Sequence, residues 1–369
     1  MWKWNFICWL VSLITSDPKK RGHHFRRLRD RVNAELGRYE DNWEVTRTYT
    51  KTSICRPVVP TSKTNIAVVV QGPVIEEDNQ TFESLKSYLD LFPGNPIILS
   101  TWDTTPPSTL SAIENLGVHV VTSPEPEHPG PANLNMQIVS TRCGLRKAKE
   151  LGTLYAVKTR TDSRMHAPRI ADYLVGLLKA FPIDQGGAQQ ERIAVLDHAT
   201  RLYIPYHPSD ILMFGRVEDL TLYWSMPLAG PEVKLTYPQN FDEWVSEPMS
   251  EVMLCRHFLE QLDIPLDGSI QQWWRILSDR FICVDRSSLN FLWPKYNYHL
   301  DHRLSDLDEY SNWAVCTFRD WINISQQNLD PPVTLEDLRG QKLNAILPSF
   351  DMDWCHKVQE ETHSLRHVA

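Results

Sequence analysis

Leu154-Tyr155-Ala156-Val157-Lys158-Thr159-Arg160-Thr161-Asp162-Ser163-Arg164 is the stretch from which the fold is inferred. Its first four residues form a short apolar run, and charged residues alternating with hydroxyls follow at once. A continuous apolar strand belongs in a sheet covered on both faces. Open α/β sheets bind their ligands just beyond the carboxyl ends of such strands. Asp162, a lone acid among Lys158, Arg160 and Arg164, can hold a metal–diphosphate group there. The acid would face the cation and the basic groups the phosphates. The same residues also read as a surface turn with local ion pairs, each worth little.

Working outward, the preceding segment predicts a helix capped at Asn133, with Leu134, Ile138, Thr141, Leu145 and Ala148 on one face and Gly152 at its end. Asn135, Arg142 and Arg146 fall elsewhere around it. Pro124, Pro126, Pro129, Gly130 and Pro131 before it make a loop. Further upstream, the β-branched run at residues 65–70 predicts a central strand ending at Gln71-Gly72-Pro73. A helix over 78–92, a strand at 96–99 running into Ser100-Thr101-Trp102, a helix over 106–115 and a strand at 118–121 follow. His119, inside that last strand, reads as a core histidine. Downstream, a helix over 167–181 precedes strands at 192–196 and 210–214, the second closed by Gly215. Past residue 220 the pieces are mainly helical, at 248–262 and 270–279, with a strand at 281–284 and a Leu-rich segment at 334–347. Strands alternating with helices over short links predict an α/β fold with a mostly parallel sheet.

The totals agree with that class. Of 369 residues, 42% are hydrophobic and 23% charged, as in ordinary globular chains. The net charge of −8 argues against nucleic acid as a partner. Seven cysteines, an odd number with no Cys-x-x-Cys pair, argue against a disulfide framework or structural zinc and fit a reducing, cytoplasmic setting. The 13 tryptophans suit carbohydrate or lipid-interface contact, or core filling.

The first 31 residues stand apart. Trp2, Trp4, Phe6, Ile7, Trp9 and Leu10 open an aromatic run, and Lys19, Lys20, Arg21, Arg26, Arg27, Arg29 and Arg31 follow. The apolar part is shorter than the ~20 residues that span a bilayer. An aromatic face beside a polybasic segment suits the surface of an anionic membrane, which places the chain as a peripheral protein on the inner face. A signal peptide and a helix docked on the body are the rival readings.

No dinucleotide fingerprint, P-loop, His-Glu-x-x-His or Gly-x-Ser-x-Gly occurs. What remains is a set of polar strand ends: Gln71, Gly72 and Pro73; Ser100, Thr101 and Trp102; Lys158, Arg160 and Asp162. Asn133 and Asn135 at a helix start can add hydrogen bonds. Glycosyl transfer would use such an edge. It must neutralise a diphosphate leaving group and give the acceptor's proton to a base. Asp162 with Arg160 can serve the first need, and Glu247, Glu251, Asp210 and Asp242 are the candidates for the second. A non-catalytic glycan- or nucleotide-binding protein, or a phosphoryl or nucleotidyl transferase, would fit the same sheet.

Taken jointly and in order, several stretches resemble the WavE lipopolysaccharide synthesis family. They are Val68-Val69-Val70-Gln71-Gly72-Pro73, Ile97-Ile98-Leu99-Ser100-Thr101-Trp102, Asn133-Leu134-Asn135-Met136-Gln137, the Tyr155 to Asp162 stretch and Asp210-Ile211-Leu212-Met213-Phe214-Gly215. The resemblance covers roughly residues 64–298. It implies a GT-A-like nucleotide-sugar fold and a glycosyltransferase that moves a sugar from a nucleotide-sugar donor to a lipopolysaccharide core or surface-polysaccharide acceptor. On that resemblance Asp162 stands in for the metal-binding Asp-x-Asp of such enzymes, with Mg²⁺ or Mn²⁺ as the implied cofactor and Arg160 where the first Asp would be. Gln71, Gly72, Ser100, Thr101 and Asn135 match the nucleotide-facing motifs, and Glu247 matches a carboxylate suited to act as base. The implied organisation is an N-terminal membrane-proximal segment and connector over 1–63, a nucleotide-sugar core over 64–220, a mainly helical acceptor side over 221–347 and a tail over 348–369.

Overall fold

A computed structural model describes residues 65–184, 187–233, 249–293, 315–327 and 329–338. The predicted connector, the N-terminal basic segment, the C-terminal tail, Asp242 and Glu247 lie outside the described residues.

The order is β1 (Ile66–Gln71), α1 (Gln80–Leu91), β2 (Ile97–Trp102), α2 (Pro107–Glu114), β3 (His119–Ser123), α3 (Leu134–Glu150), β4 (Tyr155–Arg160), α4 (Ile170–Ala180), β5 (Ile193–Leu196), β6 (Met213–Arg216), α5 (Val217–Tyr223), α6 (Ser250–Gln261), α7 (Ile270–Arg280), β7 (Phe281–Val284), α8 (Phe318–Gln327) and α9 (Leu335–Leu338). The strands form one sheet in the order β3-β2-β1-β4-β6-β5-β7. Only β6 runs against its neighbours; the β1–β2, β1–β4, β2–β3 and β5–β7 pairs are parallel. This is the mostly parallel, helix-flanked α/β architecture that the sequence predicts. β7 comes from beyond residue 220, so the sheet runs across the predicted boundary between core and acceptor side.

The core explains the order of strands. Every residue of β1 and β2 is buried, as expected of continuous apolar runs enclosed by helices. Val68 pairs with Ile97 on one side and Val157 on the other, and two positions on Val70 lies between Leu99 and Thr159. α3 lies against β1 and β2 at Gly144, where an added Cβ would fall 2.3 Å from Val69 Cγ1.

Two expectations fail in detail. His119 is exposed rather than core, because β3 is the edge of the sheet and its side chains are covered least. Asp210 does not begin a strand; β6 starts three residues later, and Gly215 lies inside it rather than closing it. Residues 197–212 form instead a buried connection from β5 to β6. A buried loop must find partners for its backbone groups. Here the indole N–H groups of Trp273 and Trp274 donate to the carbonyls of Arg201 (2.6 Å) and Leu202 (2.9 Å).

Candidate functional site

The register brings the polar strand ends together. Gln71 lies between Ser100 of β2 and Arg160 of β4. The backbone then passes beyond the sheet: Gly72 N–H donates to the Ser100 carbonyl and Thr161 N–H to that of Gln71, both at 3.0 Å. Gly72 has φ +123°, and a Cβ there would lie 2.8 Å from Thr161 Oγ1, so only glycine lets β1 and β4 exit this closely.

Arg160 and Asp162 meet at this edge as a two-bonded pair. Arg160 Nε donates to Asp162 Oδ1 at 2.8 Å and Nη2 to Oδ2 at 2.7 Å. Both side chains keep some access to solvent, 19% and 12%. The guanidinium also lies 5.4 Å from the centre of the Trp293 ring, a cation–π contact. Trp293 meets His198 edge to face at 5.4 Å, and His198 Nδ1 is 3.1 Å from Arg286 Nη1. Arg286 in turn lies 3.7 Å from Asp197, and its backbone N–H donates to that carboxylate at 2.9 Å. Burial pushes the Asp197 carboxyl up to about 7, against the pull of Arg286. The ends of β5 and β7 thus buttress the pair at the end of β4. Sequence reasoning missed this wall, although Asp197-His198 and Asp285-Arg286 directly follow their strands.

Lys158 lies deeper. It is fully enclosed, 4.5 Å from the centre of the Trp224 ring, and donates to the backbone carbonyl of Asp210. Burial lowers its pKa to about 8, while the charges of Asp210, Asp162 and Glu251 hold it up. Asp210 is also enclosed; burial, then the Glu251 charge, raises its pKa.

The other predicted residues divide by their use. Pro73 and Asn133 are exposed. Asn133 precedes α3 with φ 62° but makes no side-chain cap, contrary to the expected capping role. Gln71, Ser100, Thr101, Trp102 and Asn135 are buried. The Ser100 hydroxyl donates to the Ser140 carbonyl at 2.6 Å, and Gln71 Oε1 accepts from the Ser140 hydroxyl at 2.7 Å, so both tie the sheet to α3. Asn135 joins two loops: its amide donates to the carbonyls of His128 (2.9 Å) and Ala229 (2.8 Å), and its oxygen accepts from Ala229 N–H (2.8 Å).

The fit to a divalent cation can be tested on the donor set. Both oxygens of Asp162 are taken by Arg160, and among the described residues no three His, Cys, Asp or Glu side chains group to hold a metal. The described residues do not fit a cation as they stand. What they offer is a fixed guanidinium with a neighbouring aromatic ring at the convergence of three strand ends.

A model of a family described as WavE lipopolysaccharide synthesis matches residues 66–336. No curated protein matches the chain. Among solved structures, glucosyl-3-phosphoglycerate synthase from Mycobacterium tuberculosis, in complex with Mn²⁺, UDP and phosphoglyceric acid, is similar at 15% identity and a TM-score of 0.33, over 60% of this chain and 68% of that one. The mannosyltransferase PcManGT from Pyrobaculum calidifontis, with GDP-Man and Mn²⁺, is similar at 16% identity and a TM-score of 0.28, over 55% of each chain. A glycosyltransferase involved in glycosylation of the major capsid of PBCV-1 is similar at 12% identity and a TM-score of 0.32, over 65% of this chain and 98% of that one.

Proposed function

The chain belongs to the WavE lipopolysaccharide synthesis family, and from that premise we propose that it is a GT-A-like glycosyltransferase acting on a lipopolysaccharide core or surface-polysaccharide acceptor. The observation that carries the reading is the Arg160–Asp162 pair at the shared end of β1, β2 and β4. A nucleotide-sugar donor lying across this edge puts its diphosphate against Arg160. Charge that develops on the leaving diphosphate is met by a cation already in place, which costs no reorganisation as the bond breaks. Asp162 holds the guanidinium plane, and Trp293 backs it. Lys158, buried behind them, adds a positive field without touching solvent. No step is assigned to Mg²⁺ or Mn²⁺, because Asp162 is already paired with Arg160 through both oxygens and no second and third His, Cys, Asp or Glu side chain joins it among the described residues.

The test is thermal unfolding with nucleoside diphosphates and nucleotide sugars, with and without Mg²⁺ or Mn²⁺. A ligand at a hundredfold over its dissociation constant adds ~2.7 kcal/mol. One nucleotide should raise the unfolding temperature without added metal, and Asp162→Asn, which frees the guanidinium to turn, should lose most of that rise. A rise that is the same in Asp162→Asn, or none with any nucleotide, would count against the reading.

A further inference from the structure

An open pocket of about 250 Å³ shares no residue with the strand-end site and lies between the β5–β6 connection, α6 and the loop that joins α6 to α7. Pro205, Tyr206, Val252 and Leu266 give it an apolar wall, and Arg256 and Asp267 stand exposed at its border with opposite charges. Val252 and Arg256 are four residues apart in α6, so they share one helix face. The wall is held in place from behind. The Tyr206 ring meets Trp273 edge to face at 6.2 Å, and its hydroxyl accepts from Gly268 N–H at 2.8 Å and donates to Gln272 Oε1. Gln272 also accepts from Asp267 N–H (3.0 Å) and donates to the Pro265 carbonyl (2.6 Å), so the loop is fixed before any ligand arrives. Tyr206 has φ 62°, a conformation that a bulky side chain keeps only where its surroundings enforce it.

The two charges decide what the pocket can take. Arg256 and Asp267 do not pair with each other, and Arg256 pairs with no other acid among the described residues. Asp267 gives one oxygen to Ser269 N–H at 2.7 Å and keeps the other. A simple anion would be repelled by Asp267, and a simple cation by Arg256. A sugar ring carries hydroxyls that both donate and accept around an apolar C–H face, so one ring satisfies both charges and covers the wall. The pocket is smaller than those that enclose drug-sized ligands, which suits one ring rather than a whole nucleotide sugar. We infer that this pocket binds one neutral sugar ring of the acceptor glycan, with Arg256 donating to its hydroxyls and Asp267 accepting from them. As an acceptor subsite it rests on the glycosyltransferase reading; as a sugar site it does not. Strand directions tie it to the donor edge. β6 runs against both β4 and β5, so β4 and β5 end at the same edge, and the connection that carries Tyr206 leaves the sheet on the side where Arg160 and Asp162 lie.

The experiment titrates the full chain with the methyl glycosides of glucose, galactose, mannose and N-acetylglucosamine and follows binding by saturation-transfer NMR. At least one should bind, with transfer strongest to the C–H protons of a single ring face. Arg256→Ala and Asp267→Asn should each weaken that binding by about tenfold or more. Both positions are exposed, and Asn keeps an oxygen for Ser269 N–H, so both variants should unfold at the wild-type temperature. UDP and GDP should leave the glycoside bound. Binding of none of the four, or equal binding in both variants, would overturn the inference. Displacement by inorganic phosphate would make the pocket an anion site, and displacement by a nucleotide sugar but not by its nucleotide would give it to the donor; either would overturn it too. A nucleotide that shifts the unfolding temperature while no glycoside binds would sink the pocket alone. Glycoside binding without any nucleotide shift would sink the transferase reading and leave the sugar site standing, so the two failures are distinguishable.

Discussion

Lys158 carries its charge where no water reaches it, and that has a measurable cost. Its pKa falls from 10.5 to about 8, chiefly because burial disfavours the ammonium. In the unfolded chain the same amine keeps its ordinary value. Between those two values the unfolded chain binds the extra proton, so stability rises with pH across that window and is lost again as pH falls through 8. The gain should be on the order of a few kcal/mol. Comparing urea midpoints of the wild type and Lys158→Met across that range checks it; parallel curves for the two would refute it. At this scale the sequence was partly legible. Lys158, Arg160 and Asp162 stand out as charges at the end of an apolar run; the structure pairs Arg160 and Asp162 at the edge and encloses Lys158. Ser100 and Asn135 were as conspicuous, yet their polar atoms bond carbonyls inside the protein. A polar residue at a strand end looks the same in sequence whether it faces a ligand or a neighbouring helix.

Among the elements, the connection from β5 to β6 is the least readable and the most exacting. Ile211-Leu212-Met213-Phe214 has the composition of a strand, but only its second half pairs in the sheet. The connection that leads into it is held instead by donors from α7, 72 residues along the chain, to the carbonyls of Arg201 and Leu202, and no local pattern shows that. Two of the tryptophans that composition alone left open between ligand contact and core filling serve here as hydrogen-bond donors to backbone carbonyls. Trp273→Phe keeps the apolar body and removes the N–H, leaving the Arg201 carbonyl unpaired. It should cost about 1–3 kcal/mol in a urea unfolding experiment, and no measurable loss would mean that the loop finds another partner. The helices whose apolar residues recur on one face, α3 and α4 above all, were readable because a 3.6-residue period needs no distant information, although the buried polar contacts of α3 were not.

For the molecule as a whole, no helix among the described residues is long and apolar enough to cross a membrane. We propose that contact with a bilayer is left to residues 1–31, whose Lys and Arg outnumber their acids in a chain of net charge −8. Removing residues 1–31 should release the protein from vesicles containing anionic lipid in a sedimentation assay, and undiminished binding would refute the proposal. The sheet order also dictates when the protein can take shape. β1, β2 and β3 are neighbours in both chain and sheet, so they can associate early in synthesis. β1 waits for its other partner, β4, until some ninety further residues have been made, and β5 cannot complete its pairing before β7 emerges. Non-local parallel pairing is slow, and its open edges are prone to stick. During translation, the half-built sheet therefore exposes the flank of β1 that will later carry Arg160 and Asp162 beside it, and over this interval the open edge is at its greatest risk of pairing wrongly.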